Sequence, residues 1–186
     1  MPHSPRQVTA MQLFSALLLA SLGATLVAAA KPTVYLIRHG EKPEDDDVTG
    51  LSMEGKLRAQ CLRDVFEPSS QYNIGYILAQ TPKENGKRSR PYLTVKPLAD
   101  ELGLTVDTSC DRDDEKCVKD AVEDYDGEGN ILICWQHGQL NKIAEELGAD
   151  DVDKYPSDSW DLIWTQPYPY KEITSVTSEN CPGLDD

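Results

Sequence analysis

Histidine, positive charge and long apolar runs are what this sequence has least of, and each scarcity narrows what it can do. Lys and Arg number 18 against 32 Asp and Glu, for a formal net charge of −14. A field of that sign repels polyanions, which excludes nucleic acid and anionic membranes as partners; a small anionic substrate would need a local positive pocket. Beyond the N-terminal region no stretch is long or apolar enough to cross a bilayer, so no stable membrane association is expected. No internal repeat divides the chain. Its 186 residues suit one domain whose core buries roughly two thirds of the unfolded surface. They carry no sign of oligomeric state.

The single long apolar run is N-terminal. Residues 1–12 hold one Arg and no acid, residues 13–30 are apolar and small, and Ala28-Ala29-Ala30 offers small side chains for cleavage. This is the pattern of a signal peptide over residues 1–30, with a single catalytic domain over 31–186 secreted to the extracellular space. The competing reading is a membrane anchor, which Ser15, Ser21, Gly23 and Thr25 dilute. All five cysteines lie beyond this run, in a compartment that permits disulfides. Cys134, inside the apolar run Ile131 to Trp135, reads as a buried free thiol. Cys110 and Cys117 bracket a short polar loop they can close, which leaves Cys61 with Cys181. The CxxH at Cys134 and His137 has no second ligand pair at zinc-like spacing, so no metal is expected.

The remaining residues alternate short β-branched runs with amphipathic stretches, the pattern of an α/β three-layer sandwich with helices on both faces of a mainly parallel sheet. Strands are predicted at Thr33 to Arg38, Gly75 to Gln80, Leu104 to Asp107 and Asn130 to Trp135, then at Trp160 to Thr165 and Ile173 to Thr177 as a hairpin. A helix capped by Ser52 runs to Phe66, with Leu57, Cys61, Leu62 and Val65 on its inner face. Another starts at Arg90 with Pro91 in its first turn, and Pro97 should end or kink it. A helix carrying Val118, Ala121, Val122 and Tyr125 on one face, and another over Gly138 to Leu147, complete the set.

Two of the three histidines, His39 and His137, directly follow strongly apolar strands and precede glycines. In open α/β sheets ligands bind at the carboxyl ends of parallel strands, so adjacent placement of these strands would join the two imidazoles. Arg38 adds a planar cation suited to phosphate oxygens. A neutral imidazole can attack phosphorus and split transfer into two easier steps, provided fixed cations hold the oxygens.

Val34-Tyr35-Leu36-Ile37-Arg38-His39-Gly40-Glu41 resembles the signature of the histidine phosphatase superfamily, a phosphoglycerate mutase-like fold. Leu51-Ser52-Met53-Glu54-Gly55-Lys56-Leu57-Arg58-Ala59 is similar to its next block. Arg90 with Thr94 four residues on resembles its second-arginine block, and Ile131 to Gly138 the block ending in the second catalytic histidine. The resemblance implies His39 as the nucleophile that becomes phosphohistidine, with His137, Arg38 and Arg90 around the phosphoryl group and Glu41 and Lys42 at the mouth. Arg88 rivals Arg90, although helix N-termini favour anions and Pro91 starts a helix there. No cofactor is implied.

The chain departs from the family pattern in two ways. Little room lies between Arg90 and His137 for a capping insertion, which places it with the short branch of small phosphohistidine phosphatases, as a secreted, fungal-type member. The general acid is therefore unassigned; the candidates are Asp111, Asp113, Asp114 and Glu115. Gln136 stands where many relatives have Ser. The expected activity is hydrolysis of small or terminal phosphate monoesters through phosphohistidine. The alternatives are a phosphate-binding effector without turnover, and an isomerase or cyclase on the same scaffold.

Overall fold

The computed structural model describes residue 1, residues 31–45 and residues 47–185. The expected signal segment and its cleavage site lie almost wholly outside the described residues. Those described form β1 (Val34–Arg38), α1 (Met53–Val65), β2 (Ile74–Ala79), α2 (Arg90–Leu102), β3 (Val106–Asp107), α3 (Glu115–Asp124), β4 (Asn130–Trp135), α4 (His137–Leu147), β5 (Leu162–Gln166) and β6 (Ser175–Ser178).

The sheet order is β3-β2-β4-β1-β5-β6. The first four strands are parallel and the last two form the antiparallel hairpin. Strand alternation feeds two cores. Val34 and Leu36 of β1, with Ile131, Ile133 and Trp135 of β4, pack beneath α3 and α4. Tyr35, Ile37, Leu132 and Cys134 point the other way, beneath α1 and α2. The result is the three-layer α/β sandwich with a mainly parallel sheet. Because α1 and α4 leave neighbouring strands toward opposite faces, a crevice opens between the carboxyl ends of β1 and β4.

Two helices depart from their sequence patterns, and the strands expected from Leu104 and Ile173 begin at Val106 and Ser175. Ser52 caps α1 as expected, its Oγ accepting from the Gly55 N–H at 3.1 Å. The inner face, however, is Gly55, Arg58, Ala59 and Leu62, while Leu57 is 55% exposed. Two local demands rotate the helix. A Cβ on Gly55 would stand 2.5 Å from the Glu41 carbonyl, so only glycine permits this approach to the loop after β1. Arg58 is buried among three carboxylates. In α2 the helix continues through Pro97 to Leu102. The missing hydrogen bond and ring clash cost about 3 kcal/mol. Burial of Val95 and Leu98, about 1.5–3 kcal/mol each, offsets that. The predicted strand start at Trp160 also moves, to Leu162, because Trp160 is drawn into a loop over β1.

The disulfides are Cys61–Cys181 and Cys110–Cys117, and Cys134 is buried and free. Among the described residues no helix is long and apolar enough to cross a membrane.

Candidate active site at the carboxyl edge of β1 and β4

Parallel pairing of β1 with β4 sets Arg38 opposite Trp135, and the His39 N–H donates to the Trp135 carbonyl at 3.1 Å. His39 and His137 thus stand at the ends of adjacent strands, as their placement in the sequence predicted. His39 is only 6% exposed. Its Nδ1 lies 2.8 Å from the Gly40 carbonyl oxygen, an acceptor only. Nδ1 therefore carries the proton and Nε2 the lone pair. Burial pushes the His39 pKa down to about 4, despite the raising effect of the Gly40 bond, and the nearby charges of Arg38, Arg90 and His137 lower it further. A neutral, oriented imidazole among cations is the state that nucleophilic attack on phosphorus requires.

Arg38 is buried and fixed. Its Nη1 donates to the carbonyls of Ser157 (2.9 Å) and Ser159 (2.6 Å), and its guanidinium lies 3.4 Å from the centroid of the Trp160 ring. Among the described residues the buried Arg38 Nε has no hydrogen-bond partner, nor does Nδ1 of His137. An unmet buried donor costs about 1–3 kcal/mol, so the Arg38 Nε favours an oxygen-rich ligand. Burial, then Arg38, holds the His137 pKa below the ordinary imidazole value.

Arg90 opens α2. Its Nε donates to the Gly50 carbonyl at 2.8 Å and Nη2 to that of Val48 at 3.2 Å, leaving Nη1 without a hydrogen bond among the described residues. Thr94 explains the spacing to Arg90. Its hydroxyl donates to the Arg90 carbonyl (2.8 Å) and accepts the Gly40 N–H (2.9 Å), which ties the start of α2 to the residue after the nucleophile. Arg88 pairs with Asp113, its Nη2 lying 3.7 Å from a carboxylate oxygen.

Glu41, expected at the phosphate, turns to Arg58 instead. Arg58 Nη2 donates to its Oε1 at 2.6 Å and Nε to both of its oxygens. The same guanidinium donates to Glu179 (2.7 Å) and Asp185 (2.8 Å). Burial works against the Arg58 charge, yet Asp185, Glu41 and Glu179 together raise its pKa. Glu179 is pushed up to about 8, by burial first, although Arg58 opposes the shift. Glu179, Cys181 and Asp185 also lie close enough to suggest metal ligation. Cys181 is in a disulfide and both carboxylates hold Arg58, so the donor set is already engaged.

The acid candidates fare differently from the histidines. The hydrogen bond from Arg112 chiefly lowers the Asp113 pKa, with help from Gln139 and Arg88. It is exposed and ionised, a poor proton donor. Asp114 caps α3 through the Cys117 N–H, Glu115 lies within that helix, and Asp111 is exposed at the preceding turn. Among the described residues no carboxylate is hydrogen-bonded to His39 or His137. Gln136, in the place of the expected Ser, caps α4 without a side-chain bond, and its N–H meets the buried Gln80 at 3.3 Å.

Sequence reasoning missed Trp160, whose ring centroid is also 5.8 Å from that of His39. The available signal was an aromatic residue in the polar run Ser157-Asp158-Ser159. It also missed Arg58, where three carboxylates distant in sequence give no local pattern.

The fold and site define an α/β sandwich with paired strand-end histidines and two arginines. No family model and no curated protein matches the sequence. Solved structures do. The chain is similar to the protein histidine phosphatase SixA complexed with tungstate, at 15% identity and a TM-score of 0.58 over 79% of this chain and 97% of that one. It is also similar to a protein described as a phosphohistidine phosphatase SixA from Agrobacterium tumefaciens, at 13% identity and a TM-score of 0.55 over 80% and 98%. The architecture is that of these phosphatases, at nearly their full length.

Proposed function

We propose that this protein is a phosphomonoesterase of the histidine phosphatase type, secreted after removal of residues 1–30. The observation that carries this reading is the neutral His39 with Nδ1 held by Gly40, flanked by Arg38, Arg90 and His137. In the first step Nε2 of His39 bonds to phosphorus as the bond to the leaving oxygen breaks, and the leaving group departs as the alkoxide or phenoxide, which takes its proton from water. In the second, water attacks phosphorus, the N–P bond breaks and orthophosphate leaves. Arg38, Arg90 and His137 hold the equatorial oxygens in both steps. Binding of tungstate, an oxyanion, by a protein of the same fold supports an oxyanion site here. The two disulfides support the extracellular setting.

With no carboxylate against the histidines, substrates with good leaving groups, or phosphoramidates, are favoured. The same observation supports a second reading, a phosphate-binding effector without turnover. Turnover of 4-nitrophenyl phosphate with EDTA present separates the two. The wild type is expected to hydrolyse it and His39→Ala to lose at least about a thousandfold in kcat. Wild-type rates in the mutant would remove the nucleophile assignment; absence of turnover alongside tight orthophosphate binding would favour the effector.

A further inference from the structure

One feature of the site is not used by transfer of a single phosphoryl group. The connection from β2 to α2, residues 80–89, carries Lys83, Lys87 and Arg88, and with Arg90 places four of the chain's 18 basic residues within eight positions, against one acid, Glu84. In a molecule of net charge −14 this is a concentrated local exception. The connection is a built loop. Lys83 N–H donates to the Lys87 carbonyl at 2.8 Å, Gly86 N–H to the Lys83 carbonyl at 2.9 Å, and Ser89 Oγ to the Gly86 carbonyl at 2.7 Å. Gly86, at φ +80, comes so near Thr49 that an added Cβ would stand 2.9 Å from its Oγ1. Arg88 holds φ +63, a conformation costly for a non-glycine residue, with its carbonyl accepting from Gln80 at 3.3 Å.

The loop closes against Thr49 and Gly50 to leave a cleft of about 220 Å³ lined by Thr49, Gly50, Gly86, Lys87, Arg88 and Arg90. Among the described residues its only charged walls are cationic. Arg90 lines this cleft, and its carbonyl is tied through the Thr94 hydroxyl to the Gly40 N–H beside His39, so the cleft is anchored to the loop that carries the nucleophile. The Arg88 guanidinium is 24% exposed and its one ion pair, to Asp113, is long at 3.7 Å. Lys87 forms no ion pair among the described residues. Three cations gathered beside a phosphoryl site, with little internal neutralisation, repel one another unless an anion joins them.

We propose that this cleft is a second-anion subsite, so that the preferred substrates are phosphomonoesters bearing a further phosphate or carboxylate, held by Lys87 and Arg88 while Arg90 bridges the two groups. This rests on the phosphomonoesterase reading, and deepens it by naming the substrate class.

Inhibition of 4-nitrophenyl phosphate hydrolysis by propyl phosphate and by 1,3-propanediol bisphosphate tests it, and calorimetric binding of the same two probes to His39→Ala supplies a readout independent of turnover. The bisphosphate is expected to bind about tenfold more tightly than the monophosphate at low salt, an advantage that shrinks as salt rises. In Lys87→Gln/Arg88→Asn, where Asn tolerates the left-handed backbone, the ratio should fall toward one. Equal affinity for both probes in the wild type, or an unchanged ratio in the double variant, would overturn the subsite. Failure to hydrolyse any ester with the bisphosphate preference intact in binding would reject the phosphatase reading and keep the subsite.

Discussion

At the scale of single residues, the site is an argument about where protons reside. His39 is kept neutral by burial, and its tautomer is set by one backbone carbonyl, so the nucleophilic nitrogen exists at any pH above its value of about 4. After correction for the substrate's own ionisation near about 6, kcat/KM should hold from neutrality to about pH 5 and fall below about pH 4. A break near 6.5 instead would show an imidazole not desolvated as the fold requires. The same shift has a sign for stability. Unfolded His39 binds its proton near 6.5 and the folded residue near 4, so its contribution is present above 6.5 and lost as pH falls through about 4, worth about 3 kcal/mol. Glu179 runs the opposite way. Its folded value of about 8 stands above the ordinary 4.5, so its contribution is present below 4.5 and lost as pH rises through about 8. The histidines and Arg38 were legible in the sequence because strand ends are marked by apolar runs. Arg58 was not, because its partners Glu179 and Asp185 lie more than a hundred residues away.

At the scale of elements, Thr94 joins α2 to the loop after β1, and its hydroxyl is the partner of the Gly40 N–H among the described residues. Thr94→Val keeps the shape and leaves that buried N–H unmet. A loss of about 1–3 kcal/mol in urea unfolding is expected, together with a lower kcat as the His39 loop and Arg90 lose their common tie. A variant with wild-type kcat would show that the tie does not position the site. The helix itself was legible from Arg90, Pro91 and the apolar spacing, whereas its course through Pro97 was not. Local propensity argues for a break there, and only the packing of Val95 and Leu98 beneath the sheet outweighs it. The face of α1 was misjudged for a related reason. Leu57 looked like core, but the Gly55 approach to Glu41 and the buried Arg58 fix the helix rotation.

At the scale of the whole molecule, the C-terminal residues act as a strap. Cys181 bonds to Cys61 of α1 while Glu179 and Asp185 hold Arg58 one turn earlier, and Arg58 in turn holds Glu41 two residues after the nucleophile. Closing a separation of 120 residues is worth about 5 kcal/mol in the chain-entropy account, a large part of a domain's 5–15. Cys61→Ser/Cys181→Ser should therefore lower the urea midpoint severely, and Arg58→Met, which leaves the buried Glu179 and the half-buried Glu41 and Asp185 without their cation, should cost about 3–5 kcal/mol. Unfolding free energies within a few tenths of a kcal/mol of wild type would show the strap to be ornamental. Cysteine spacing suggested both pairings and the free Cys134 without fixing them, because five cysteines admit other connectivities and only the fold brings Cys61 to Cys181.

The account stands or falls on His39 Nε2 bonding to phosphorus. Rapid quench of the protein with excess 4-nitrophenyl phosphate, followed by peptide mapping under alkaline conditions that preserve phosphohistidine, should place one phosphoryl group on Nε2 of His39, with none in His39→Ala. A phosphoryl group on another residue, or steady turnover by His39→Ala, would contradict it.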